Sequence, residues 1–149
     1  MAERRLQFHP PTSVESYPFA HRLRTRFAET DAMGIVHHGA YLTYLEAARV
    51  EYLRALGYPY ERVRDEGIDF SVIEVAVRYQ VPLRFDEEVD VAVRVASAKG
   101  ATFQMEYLLL VAGEVRADAA TVHAAVTHGG RPTRPPAWIR SILAEGPPR

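Results

Sequence analysis

The spacing of hydrophobic residues changes once along this chain, from a helical period to a strand period. Between Tyr41 and Leu56 the apolar residues fall on one side of a helix at about 100° per residue and cover about half of its circumference. This face comprises Tyr41, Tyr44, Leu45, Ala48, Tyr52, Ala55 and Leu56, with Leu42 and Leu53 at its margins. Gly57 suits the left-handed position after a helix, and Pro59 prevents its continuation. So wide an apolar face predicts a helix enclosed by other elements.

After this helix, hydrophobic and polar residues alternate, which is typical of β-strands with one buried face. The alternation predicts four strands, at residues 70–81, 88–95, 103–111 and 115–128. Turns at residues 98–101 and 113–114 join the later strands as hairpins. A further strand, His21–Phe27, precedes the helix, because Leu23 lies there between two arginines.

This order of elements predicts an α+β fold, in which a curved antiparallel sheet of about five strands wraps around one long central helix. Small residues in the last strand would let the helix approach the sheet closely; they are Ala117, Ala119, Ala120, Ala124 and Ala125. An uncovered edge strand can pair with a second copy of the chain, so we expect a homodimer or homotetramer.

The two ends of the chain are less regular than its middle. Prolines in residues 1–18 favour an arm over a core element. Residues 131–149 form a proline-containing tail, with one short helix predicted from Trp138 to Leu143. The length of 149 residues and the lack of an internal repeat predict a single domain over residues 1–149.

Composition and charge narrow the classes of function. The formal net charge of −1 gives no electrostatic reason to expect nucleic acid or an acidic membrane surface as a partner. The chain has no cysteine, which excludes disulfides and a cysteine nucleophile and fits a reducing compartment. No apolar run approaches the ~20 residues that cross a bilayer, and no signal-peptide pattern is present. We therefore expect a cytoplasmic protein without membrane or nucleic-acid partners.

Chemically, the most informative stretch is Arg24–Arg49, with the sequence RTRFAETDAMGIVHHGAYLTYLEAAR. It places Asp31, Gly34, His37 and His38 directly before the predicted helix. The first N–H groups of a helix have no intrahelical partner and carry a partial positive charge, so they can stabilise a developing anion. The cap position holds no Ser, Thr, Asp or Asn, which leaves these N–H groups available to a ligand or water.

The segment ETDAMGIVHHGAYLTYLEAAR and the order of elements resemble the hotdog-fold acyl-CoA thioesterases of the 4-hydroxybenzoyl-CoA thioesterase family. The motif resemblance covers Arg24–Arg49, whereas residues 70–128 match by strand pattern alone. The resemblance implies that Asp31 is the catalytic carboxylate and that the His38 backbone N–H polarises the thioester carbonyl. It also implies an acyl-CoA substrate, no cofactor, and a site at a subunit interface. Relatives often carry Asn where this chain has Ala40, which puts the ordering of this loop in question.

The chemistry of these residue types supports the same assignment. A thioester has an electrophilic carbonyl and a good leaving group, so its hydrolysis needs a base or nucleophile and donors for the oxyanion, but no metal. Asp31 can attack the carbonyl to give an anhydride or activate a water molecule, and the sequence leaves both routes open. The plainer interpretation of Asp31 is a turn residue that bonds to its own backbone before a glycine.

Other residues of the stretch are candidates for substrate contacts or support. We expect substrate contacts from Gly34, Ile35, Val36, His37 and Tyr41, and a contact between Lys99, at a hairpin, and a CoA phosphate. The plainer interpretations are a tight turn for Gly34, core packing for Tyr41 and a solvated hairpin lysine. Glu46 and Arg49 are three residues apart on the helix. We expect them to be structural support, as an ion pair or as a brace for the Asp31 loop or the dimer interface.

A metal site is the main chemical alternative, with His37 and His38 as ligands beside Asp31 or Glu46. We predict no metal site, because adjacent side chains are expected to point apart and the helix has no HExxH-type pair.

The leading hypothesis is therefore an acyl-CoA thioesterase. A non-catalytic acyl-thioester or small-ligand binding protein is the alternative, and a structural oligomer module is a third. A dehydratase on this fold would need another pattern of His and acid, which the sequence lacks. The acyl group is not specified by the sequence.

Overall fold

A single antiparallel sheet surrounds one long helix. The structure is a computed structural model that describes residues 3–145, with side chains described through residue 143. Its elements are β1 (Phe19–Arg24), α1 (Ala40–Ala55), α2 (Tyr60–Asp65), β2 (Ile68–Tyr79), β3 (Glu88–Lys99), β4 (Thr102–Val111), β5 (Glu114–Thr127) and α3 (Ala137–Glu145). The strands are ordered β1-β3-β4-β5-β2. This architecture confirms the predicted α+β hotdog fold.

Helix α1 packs its apolar face onto the concave side of the sheet. Its buried residues are Tyr41, Tyr44, Leu45, Ala48, Tyr52 and Leu53, and most of them join one core cluster with β3, β4 and β5. The face is narrower than predicted, since Leu42 and Ala55 are exposed. Of the alanines expected beneath the helix, Ala117 and Ala119 lie in this cluster, whereas the alternating Ala120 lies on the opposite face of β5.

Strand β1 is displaced from its predicted position because Thr25 ends it. The Thr25 hydroxyl donates to the Arg84 carbonyl at 2.5 Å and accepts from the Glu87 N–H at 3.0 Å. These bonds direct the chain into a 3₁₀ turn, Phe27–Glu29, which begins the loop that carries Asp31. Helix α2 was not predicted, because six residues after a proline are too few to show a helical period.

The N-terminal arm lies on the face of the sheet opposite α1. The Gln7 N–H donates to the Gln104 side-chain oxygen at 3.0 Å, and the Gln104 amide donates back to the Gln7 carbonyl at 2.6 Å. Tyr17 is buried in a small cluster with Leu108 and Leu110. These contacts anchor the predicted arm to the sheet.

At the other end of the chain, α3 extends the short helix predicted in the tail. Its Trp138 stacks on Tyr58 with ring centroids 4.0 Å apart. Residues 146–149 of the predicted tail lie outside the described residues. Of the helices described, none has the length and apolar character needed to span a membrane.

Candidate active site

Asp31 sits in a tight turn that fixes one of its two carboxylate oxygens. The turn is closed by two backbone bonds, from the Asp31 N–H to the Ile35 carbonyl at 2.9 Å and from the Gly34 N–H to the Asp31 carbonyl at 3.0 Å. The Met33 N–H donates to Asp31 Oδ1 at 2.8 Å. Gly34 has φ +75°, a left-handed conformation that disfavours larger residues. Asp31 Oδ2 makes no hydrogen bond to residues 3–143 and is therefore available to a ligand.

Three contacts hold this loop against α1 and the segment before β3. The His37 N–H donates to the Glu29 carbonyl, and the Val36 N–H donates to the Leu83 carbonyl, each at 2.7 Å. The Tyr44 hydroxyl donates to the Glu29 carboxylate, also at 2.7 Å. Burial of Glu29 acts to raise its pKa, but bonds from the Arg26 N–H and from Tyr44 outweigh it and lower the pKa. A charged Glu29 thus fastens the Asp31 loop to the central helix.

The N-cap residue of α1 is Gly39, and His37 accepts two backbone N–H groups at this start of the helix. His37 Nδ1 accepts from the Gly39 N–H at 3.0 Å, and the His37 carbonyl accepts from the Ala40 N–H at 3.0 Å. The His38 N–H donates to no acceptor within residues 3–145. The Tyr79 hydroxyl donates to the His38 carbonyl at 2.9 Å, which ties this residue to the end of β2. The His38 N–H therefore remains available beside the helix start, as the missing cap residue had suggested.

Asp31 and His38 line the same cavity, which has a volume of about 220 Å³. Its walls are Asp31, Met33, Ile35, Val36, His38, Tyr41, Tyr79, Gln80 and Pro82. The cavity thus brings together five of the residues predicted from the sequence. Gly34 and His37 do not line it; they shape the turn and the helix start instead. The segment Tyr79–Pro82 was missed, since its residues are 41 or more positions from His38 in sequence and only the sheet brings them there.

The cavity combines one carboxylate with largely apolar walls. Asp31 is the only acidic residue among those that line it. Tyr41 packs edge-to-face on Tyr79 with ring centroids 4.8 Å apart, and its hydroxyl accepts from the Leu83 N–H at 3.3 Å. Burial raises the pKa of Tyr41, so this hydroxyl stays neutral at physiological pH. The arrangement offers a base or nucleophile and an amide donor beside an apolar binding surface.

The remaining predicted residues lie elsewhere. Lys99 lines a separate surface depression with Arg4 and Arg5. Glu46 and Arg49 line another cavity, which shares no residue with the cavity around Asp31. No ion pair joins Glu46 to Arg49 within 4.0 Å, so the simple helical pair is absent between these two side chains. The bond that braces the Asp31 loop onto α1 comes from Glu29 and Tyr44 instead.

The prediction that the side chains of His37 and His38 point apart was wrong. The rings of His37 and His38 do not point apart, because their centroids are 4.1 Å apart with planes inclined by 33°. His37 Nδ1 is nevertheless occupied by the Gly39 N–H. Within the described part of the chain, no group of three or more His, Asp or Glu side chains is arranged to hold a metal ion.

Comparison with known proteins shows the family to which this fold belongs. The family model described as the thioesterase-like superfamily matches residues 25–143. The acyl-CoA thioesterase YbgC of Haemophilus influenzae is 36% identical over 93 residues, which are 62% of this chain and 68% of that protein.

Solved structures agree with this match. The crystal structure of a hypothetical protein from Aquifex aeolicus has a TM-score of 0.79 and 35% identity, and the alignment covers 85% of this chain and 99% of that one. A Thermus thermophilus thioesterase, solved with coenzyme A and zinc, has a TM-score of 0.74 and 31% identity over 87% of this chain and 95% of its own.

The fold and the Asp31 loop therefore define a hotdog protein of the thioester-hydrolase class. The chain belongs to the thioesterase-like superfamily, whose model spans the loop, the central helix and all four of the later strands.

Proposed function

We propose that this protein hydrolyses acyl-CoA thioesters to a free acid and CoA, with Asp31 as general base or nucleophile and the His38 backbone N–H as oxyanion donor. The observation that carries the proposal is that Asp31 and His38 line one cavity, with one carboxylate oxygen and one helix-start amide unengaged by residues of the described chain. Similarity to an acyl-CoA thioesterase and to a thioesterase solved with coenzyme A supports CoA as the thiol.

In the proposed reaction, the thioester carbonyl carbon faces Asp31 and its oxygen faces the start of α1. As a base, Asp31 removes a proton from water while the hydroxide oxygen bonds to the carbonyl carbon. The protonated carboxyl then gives this proton to the sulfur as the C–S bond breaks and CoA leaves as a thiol. As a nucleophile, Asp31 forms an anhydride as the C–S bond breaks and CoA leaves as a thiolate, which takes up the proton released when water opens the anhydride. The oxyanion that forms on the way accepts from the His38 N–H, whose position near a helix N-terminus adds a favourable dipole.

The replacement Asp31→Asn tests the role of Asp31 with little disturbance of the loop. An asparagine oxygen can still accept from the Met33 N–H, so the turn persists while the charge and basicity are lost. If Asp31 is catalytic, we expect kcat to fall by about 10²–10⁴-fold, whereas a residue needed only for the turn would retain the wild-type rate. Thiol release from benzoyl-, phenylacetyl-, short-chain and long-chain CoA measures it, with Asp65→Asn, an exposed position at the end of α2, as the control.

Two replacements at His38 separate its backbone from its side chain. His38→Ala keeps the N–H and should retain most of the turnover, whereas His38→Pro removes it and should lower kcat by about 10²–10³-fold in a protein that still unfolds cooperatively. A large loss in His38→Ala would show that the imidazole itself reacts. Saturable acyl-CoA binding without any hydrolysis across the panel would favour a non-catalytic binding protein instead.

A further inference from the structure

A second cavity, of about 460 Å³, lies between the middle of α1 and the sheet. Its walls are Glu46, Arg49, Val50, Leu53, Tyr60, Phe70, Val72, Phe103, Met105 and His123. The volume falls within the range of small-molecule sites, about 300–1,000 Å³. It shares no lining residue with the cavity around Asp31, so its role can be considered independently.

Aromatic rings form much of the inner wall of this cavity. Phe70 and Phe103 pack edge-to-face with ring centroids 4.9 Å apart. His123 stacks on Phe103, with ring centroids 5.0 Å apart and the two planes inclined by 15°. Such walls favour a flat ring as the body of a ligand, because aromatic rings gain from stacked and edge-to-face contacts beyond their buried area.

Arg49 supplies a half-buried positive charge to this wall. Its Nη1 donates to the hydroxyl of the fully buried Tyr107 at 3.4 Å, which places the guanidinium at the inner end of the cavity. Among the described side chains it makes no ion pair within 4.0 Å. A guanidinium has five N–H donors in a planar fork that matches a carboxylate, and its partial burial without a counter-ion is costly. The inner end of the cavity therefore favours an anionic group.

A chain of hydrogen bonds leads from Arg49 to His123. Arg49 can only donate, so the Tyr107 oxygen accepts from it at 3.4 Å. Tyr107 is in turn hydrogen-bonded to Thr121 Oγ1 at 2.8 Å, and Thr121 Oγ1 to His123 Nε2 at 2.7 Å. The buried His123 Nδ1 has no hydrogen-bond partner among the described residues. The inner end therefore combines a guanidinium without a counter-ion and a ring nitrogen without a hydrogen-bond partner, so it has polar groups for a ligand to bind.

We propose that this cavity binds a small aryl carboxylate, with the carboxylate on the Arg49 guanidinium and the ring against Phe70, Phe103 and His123. Glu46 is the one acidic residue that lines the cavity, and it is exposed, so solvent screens its repulsion of the anion more than the attraction of the half-buried Arg49. The proposal is independent of the catalytic role of Asp31, which does not line this cavity.

Two methionines allow the binding site to be located in solution. Met105 lines this cavity and Met33 lines the cavity around Asp31, and the third methionine of the chain is Met1. In protein labelled with ¹³C at the methionine methyl groups, benzoate should shift the Met105 signal saturably and leave the Met33 signal unchanged. Benzamide, which has nearly the same shape without the charge, should bind at least about fivefold more weakly. The same results are expected in Asp31→Asn, so failure of the catalytic proposal would not affect them.

Variants of the two charged residues complete the test. Arg49→Gln should remove the preference for benzoate over benzamide, Arg49→Lys should retain part of it, and Glu46→Gln should leave benzoate binding unchanged or make it tighter. Thermal unfolding of each variant establishes that it is folded before titration. The proposal is overturned if benzoate shifts Met33 rather than Met105, if it shifts neither, if benzamide binds equally well, or if Arg49→Gln binds benzoate as the wild type does.

Discussion

His123 is held in its neutral form by its surroundings in β5. It is about 99% buried, since only 1% of its surface is exposed. Burial, together with the nearby positive charge of Arg49, lowers its pKa from 6.5 to about 3. In the unfolded chain the imidazole takes up a proton near its ordinary pKa, whereas in the folded chain it stays neutral. Between these two values the unfolded state binds more protons, so stability falls as the pH falls.

The difference between the pKa values of His123 in the unfolded and folded chain makes the stability of the protein depend on pH. The contribution of His123 is fully present above about pH 6.5 and is lost as the pH falls toward about 3. The free energy of unfolding of the wild type, relative to that of His123→Gln, should therefore decrease by about 2–3 kcal/mol from pH 7 to pH 4.5. Urea denaturation at several pH values measures it. Other titrating groups are common to both proteins and cancel, so a difference that does not change with pH would contradict the prediction.

At the scale of elements, the end of β2 supports the start of α1. Tyr79, the last residue of β2, donates to the His38 carbonyl at 2.9 Å and packs edge-to-face on Tyr41. In the proposed mechanism the amide of His38 must be aimed at the carbonyl oxygen of the substrate. Tyr79 is therefore a positioning residue, because it holds the residue that carries this donor.

The replacement Tyr79→Phe keeps the ring contact with Tyr41 and removes the bond to His38. We expect kcat to fall about tenfold with little change in KM, since a small misplacement of an oxyanion donor is costly in the transition state. Stability should change by about 1 kcal/mol or less, because the residue is 48% exposed. Steady-state kinetics measure this split, and Tyr58→Phe, a tyrosine outside both cavities, is the control. A rise in KM at constant kcat would assign Tyr79 to substrate binding instead.

The elements that the sequence predicts well are those with a long local pattern. Helix α1 and the later strands each repeat one period over eight or more residues, so their positions agree with the structure within a few residues. Asp31 was predicted as a site residue because its loop forms a continuous motif with the helix start. Helix α2 is too short to show a period.

What the sequence does not show is contact between distant residues. Arg49 and Tyr107 are 58 residues apart, and Tyr79 is 41 residues from His38, so neither contact leaves a local signal. For the same reason the sequence does not show that Lys99 lines a surface depression with Arg4 and Arg5, or that Arg49 lines a cavity beside the middle of α1.

At the scale of the whole molecule, β2 is an edge strand with an apolar surface. The sheet order leaves β1 and β2 at its edges, and β2 has 12 residues whereas β1 has six. Val72, Ile73 and Val75 of β2 are each 43–47% exposed. A long edge strand with exposed apolar side chains favours pairing with another strand, since its outer N–H and C=O groups also lack partners. We therefore expect two copies of the chain to pair through β2 into one continuous sheet.

A charge on this edge should prevent the pairing. Val75→Lys places an ammonium group at the edge in both copies, so we expect it to convert a wild-type dimer largely into monomer. Val14→Lys is the matched control, because Val14 is also 43% exposed but lies in the N-terminal arm. Light scattering coupled to size-exclusion chromatography measures the mass of each protein. If the active site is completed by a second subunit, acyl-CoA turnover should fall in Val75→Lys and not in Val14→Lys. A monomeric wild type, or a dimer that Val75→Lys leaves intact, would show that β2 is not the interface.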